Sequence, residues 1–100
     1  MDIIITEGKL KKIIYRFLDE YIFKDTDIFE DKDWVGVRSP KYEEDILGYE
    51  KRNPDALFYW DEVVDMSKGS KLFGLSYDNY KDIVSEYIRN KFGFKHKTLT

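Results

Sequence analysis

The chain has 100 residues, of which 42% are hydrophobic, 37% charged and 17% aromatic, with a formal net charge of −3 and no cysteine. That length suits one domain around one core, and the mixture excludes a globally disordered chain. Without cysteine there is no disulfide framework and no thiolate chemistry.

No apolar run reaches membrane-spanning length. The opening MDIIITEGKL lacks the basic start and long apolar stretch of a signal peptide. The expectation is therefore a cytoplasmic protein with no membrane partner. Residues 1–50 hold thirteen acids and eight bases, residues 51–100 seven acids and nine bases, so the acidity sits in the first half. Neither half has the basic excess of a nucleic-acid footprint.

In chain order, Thr6 is an N-cap candidate with Glu7 in the first turn. Leu10, Ile13, Ile14, Phe17, Leu18 and Tyr21 then recur at helical spacing, which predicts an amphipathic helix over 7–21. The acidic stretch 25–33 has no clean periodicity and reads as a loop. Trp34, Val35 and Val37 read as a short strand. Residues 39–48 carry both helix-start and strand signals, and that choice stays open. Asn53-Pro54-Asp55 suits a type I turn, which predicts a hairpin pairing 46–51 with 56–61. A short helix over 63–73, interrupted at Lys68-Gly69-Ser70, ends at Gly74, Ser76 caps a last helix over 77–92, and Gly93 closes it. Residues 94–100 read as a tail, with His96 solvated in it.

The chemistry-bearing motifs are few. A lone tail histidine makes a poor general base, and no glycine-rich phosphate loop, HExxH or CxxC occurs. Catalytic, cofactor-binding and metal-binding residues are therefore all assigned as none, and the chain is read as non-enzymatic. Asp25, Asp27, Asp31 and Asp33 outline a calcium loop, but Phe29, Glu30 and Gly36 fill its fifth, sixth and twelfth places, where a ligand, glycine and glutamate are needed. The Gly74-Leu75-Ser76 corner outlines a helix-turn-helix. Its second helix carries Asp78, Asp82 and Glu86 in one row, which would meet phosphates with like charge. Lys9, Lys11, Lys12 and Arg16 form a basic patch on the first helix, which keeps nucleic acid only as a third reading.

The acidic segment from Asp19 to Asp33 lies beside aromatic residues of types enriched at protein interfaces. A partner-binding set follows: Asp25, Asp27, Glu30, Asp31, Asp33, Trp34, Tyr49, Tyr59 and Trp60. The segments ITEGKLKKIIYRFLDEY and LFGLSYDNYKDIVSEYIRNKFG together resemble small uncharacterised proteins of tailed phages. The shared features are an I-T-E-x-x-L helix, a β-rich middle and an F-G-L-S corner opening a final helix. They cover about half of the chain. The resemblance implies a viral, non-enzymatic role, with host-factor or defence inhibition as one form and a minor virion or assembly component as the other. It defines no functional residues.

The expectation is a single α+β domain with an N-terminal helix, a small antiparallel sheet of two or three strands, and two C-terminal helices packed on it. The helix stripes Ile13, Ile14, Phe17, Leu18 and Ile83, Val84, Tyr87, Ile88 should meet in the core. The expected partner is a host or viral protein, with homo-oligomerisation open.

Overall fold

The computed structural model describes residues 6–96, 98 and 99. Thr6 caps helix α1 (Glu7–Phe17), its side chain accepting from the Lys9 amide. Leu18–Ile22 continues as a π-helical turn, in which the Phe23 amide donates to the Leu18 carbonyl at 2.7 Å. The chain then forms strands β1 (Asp27–Glu30), β2 (Trp34–Ser39), β3 (Glu44–Glu50) and β4 (Ala56–Tyr59). Helices α2 (Met66–Leu72) and α3 (Tyr77–Phe92) follow, and a two-residue strand β5 (Thr98–Leu99) comes last. The fold is α+β, as expected.

The sheet runs β1-β2-β3-β4-β5, antiparallel through β4, with β5 added parallel to β4. It is larger than the expected two or three strands because stretches read as loop and tail are strands. β1 lies inside the acidic stretch read as a loop. All four of its residues are exposed, so it carries no burial alternation for a periodicity argument to find. The segment 39–48 resolves into a four-residue turn followed by β3, and the predicted hairpin stands, with Leu47 opposite Tyr59 and Gly48 opposite Phe58. α2 is capped by Asp65, whose carboxylate accepts from the Lys68 amide, and starts three residues later than predicted. Ser76 caps α3 and Gly93, at φ 71°, closes it in the left-handed conformation that glycine adopts freely.

The core joins Ile14 of α1 and Leu18 of the π turn to Val84, Tyr87 and Ile88 of α3, over Val35, Val37, Leu47 and Leu57 of the sheet. Helix-to-helix packing is thus present, but the α1 stripe is narrower than predicted. Ile13 is 47% exposed and Tyr21 71% exposed. The π turn is the physical reason for the second. In a regular α-helix, residues five apart lie about 140° apart around the axis. The wider turn brings Leu18 and Phe23 into the same core, and Tyr21 is rotated out. Phe23 is 1% exposed and packs on Tyr87 and Phe92 at ring-centroid distances of 5.4 and 5.7 Å.

The tail reading is corrected outright. Phe94, His96 and Leu99 are all buried, and Thr98–Leu99 pairs with β4, so the described residues after Gly93 act as a strap, while Lys97 and Thr100 of the predicted tail lie outside the described residues. Phe94 stacks with Phe92 and meets Tyr49 edge-on at 5.2 Å. Burial of side chains of this size stabilises by about 1.5–3 kcal/mol each, which is what turns a polar-looking terminus into part of the fold.

Candidate functional site

The acidic residues singled out in the sequence cluster around β1. Asp25 sits in the turn before it at φ 57°. Asp27 and Glu30 lie in the strand, and Glu30 is 3.7 Å from the Lys51 ammonium. Asp31 has a local structural task, since its carboxylate accepts from the amides of Asp33 and Trp34 at 2.9 and 2.8 Å and so shapes the β1–β2 turn. The Asp33 carbonyl accepts from the Lys51 amide.

Trp34 is half-buried on the sheet face that also holds Gly36 and Gly48. Its indole N–H donates to Asp45 at 2.8 Å, and Asp45 also pairs with Arg38 at 3.3 Å. A Cβ on Gly48 would stand 2.3 Å from the Trp34 ring and 2.6 Å from the Val35 carbonyl, so the ring lies directly on the strand. Arg38 in turn covers the Phe29 ring at 4.3 Å. Phe29 remains 40% exposed and Ile28 52% exposed.

The other predicted aromatic residues lie elsewhere. Tyr49 packs inward on Phe94. Tyr59 is half-buried with its hydroxyl 3.3 Å from that of Tyr77, and burial followed by the Tyr77 contact pushes its pKa up. Trp60 meets Tyr42 edge-on at 5.5 Å. The nine residues therefore form an acidic edge plus three separate aromatic placements, rather than one surface.

Composition alone did not pick out a cleft between the end of α1, the β2–β3 turn and α2. One lobe, of about 370 Å³, is lined by Phe17, Tyr21, Tyr42, Val63 and Leu72, with Lys41, Lys68, Glu62 and Asp65 at its polar margin. A second lobe, of about 320 Å³, runs from Tyr21 and Tyr42 to Lys24 and Asp25, next to β1. Tyr21 and Leu72 are strongly exposed, at 71% and 60%, and Tyr42 is at 37%. Two uncommon backbone features line the cleft, the π turn through Tyr21 and Ile22 and Asp25 at φ 57°, and Glu43, also at φ 57°, follows the lining residue Tyr42 in the chain. Left-handed non-glycine residues cost about 1–2 kcal/mol each, and such strain concentrates where a surface is shaped for contact. The only signal in the sequence was Tyr21 itself, at the place where the helical stripe ends.

His96 is not solvated. It is 2% exposed, with Nε2 3.0 Å from Ser85 Oγ and with Nδ1 lacking a partner among the described residues. Arg89 donates to the same Ser85 Oγ at 2.9 Å. Arginine only donates, so Ser85 Oγ accepts from Arg89 and still has both a proton and a lone pair with which to meet Nε2. Burial, with the Arg89 charge added, holds the His96 pKa below its ordinary value. The pair lines none of the clefts described above, and its buried geometry suits a latch holding the strap.

The basic patch of α1 is also partly committed, because Lys11 pairs with Glu86 of α3 at 3.1 Å. Among the described residues no group of three or more His, Asp or Glu side chains is placed to hold a metal ion, and no helix is long and apolar enough to cross a membrane. No family model matches the chain, and no curated protein or solved structure matches it.

Proposed function

We propose that this chain is a non-enzymatic, protein-binding accessory protein, in the form of a phage-encoded inhibitor or modulator of a host or defence protein. The observation that carries the binding role is the aromatic cleft. Tyr21, Tyr42 and Leu72 stand exposed around it, and Asp25, in a left-handed turn, lines its second lobe. Exposed tyrosines supply large contact area for little side-chain entropy, and a mixed rim of Lys41, Lys68, Glu62 and Asp65 gives such a site its orientation. The phage context is supported by the resemblance of the two terminal segments.

The test is affinity capture from the native cellular background with the wild type and a Tyr21→Glu, Leu72→Glu double variant. Both side chains are exposed, so the variant should melt as the wild type does. A partner recovered by the wild type and lost with the double variant supports the reading. Equal recovery with both removes the cleft from it. Recovery of virion particles, or self-association alone, would move the assignment to a minor virion or assembly component.

A further inference from the structure

The two sides of β1 are unlike. One side pairs with β2 through four opposed residues, from Asp27 with Arg38 to Glu30 with Val35. Among the described residues no strand pairs with the other side. The hydrogen-bond register says which main-chain groups are left over. The Asp31 amide donates to the Trp34 carbonyl at 2.9 Å. In an antiparallel ladder, bonded and non-bonded pairs alternate, so Phe29 and Asp27 bond to β2. The N–H and C=O of Ile28 and Glu30 then face the open edge. Natural edges of this kind are commonly covered, bulged or shortened. This one keeps an unbroken register over its four residues, has no described strand on its outer side, and shows Ile28 and Phe29 to solvent.

We infer that β1 accepts an extended segment of a partner protein as an added antiparallel strand, with a basic residue at each end of a two-residue apolar centre. The inference rests on the protein-binding reading and supplies the chemistry of its partner. Charge decides between occupants. A second copy can pair with this edge only in registers that keep faces matched. Centred on Phe29, such a register sets Asp27 against Asp31 and Ile28 against Glu30. Centred on Ile28, it sets Asp27 against Phe29 and Glu30 against Thr26. Each opposes acid to acid or acid to apolar side chain, and like charges directly opposite destabilise a strand pair. A segment carrying Lys or Arg opposite Asp27 and Glu30, and Val or Ile opposite Ile28 and Phe29, satisfies every position.

The test uses the full chain, isotope-labelled, and a synthetic decapeptide of sequence Thr-Thr-Thr-Lys-Val-Val-Lys-Thr-Thr-Thr, with a control in which glutamate replaces both lysines. The lysine peptide should shift the Ile28 and Glu30 amide resonances and slow their exchange, and the control should bind roughly tenfold more weakly. In an Asp27→Lys, Glu30→Lys double variant the preference should invert, which a non-specific effect of charge on folding would not produce. Equal binding of the two peptides, no response at Ile28 and Glu30 up to the peptide's solubility, or concentration-dependent protection of those amides in the chain alone would overturn strand addition. If strand addition fails, the captured partner still distinguishes wild type from the Tyr21 and Leu72 double variant. If the protein-binding reading fails, that distinction disappears as well.

Discussion

The two ends of the sheet are built from segments that looked alike in the sequence, both short, polar and without clear periodicity, yet they were finished in opposite ways. At the β4 end a strap carries Phe94, His96 and Leu99 into the interior and leaves only the two-residue β5 as an edge. At the β1 end all four residues of the strand are exposed. An edge covered by buried chain offers little for unwanted pairing, and an uncovered one invites it. Among the described residues the molecule thus invests buried surface in closing one edge and none in closing the other, which is why β1 is the place to look for a partner.

The sharpest way to break this contrast is to cut the strap from its core. Phe94→Ala should destabilise the fold by about 3–5 kcal/mol, the usual cost of emptying a buried aromatic site, and denaturant melts would read it. Next in size is the packing that holds β2 and β3 flat beneath Trp34. Gly48→Ala forces its new methyl against the Trp34 ring and the Val35 carbonyl, and should cost about 1–3 kcal/mol, with loss of the near-ultraviolet signal of the ordered indole. The latch should add a pH signature. His96 is held neutral below its ordinary pKa of 6.5, so its contribution is fully present above that value and is lost as pH falls through the lower folded value. Wild-type stability should decline on going from neutral to mildly acidic pH, and a His96→Gln variant should show a flatter profile over that window. The smallest effect belongs to the open edge, where Phe29→Ala should change stability by no more than about 0.5 kcal/mol. A larger loss there would mean that the edge is structural.

The parts of the fold legible in the sequence are those with a repeating signal. The stripe of α3, part of that of α1, the caps at Thr6 and Ser76, and the Asn53-Pro54-Asp55 turn each follow from local chemistry, and the structure has them. What was not legible depended on contacts distant in the chain. Besides its stacking on nearby Phe92, the strap is held by Tyr49 and Ser85, neither of them a neighbour in sequence. β1 follows from pairing with β2 and leaves no burial pattern behind. The cleft was hidden for a related reason. A π turn needs Phe23 to find a pocket formed by α3, and only then does Tyr21 turn outward. Of the nine partner-binding candidates, the acidic ones gather at β1 because they are adjacent in the chain. Tyr49, Tyr59 and Trp60 scatter because strand alternation and packing decided their directions.

Amide hydrogen exchange on the isolated chain tests the contrast between the edges most directly. The amide of Leu57, which alternation turns from β3 toward β5, should be strongly protected, as should Phe29, while Ile28 and Glu30 exchange at close to unprotected rates. Protection that is uniform along β1, or an unprotected Leu57, would contradict an open edge at one end and a strapped edge at the other.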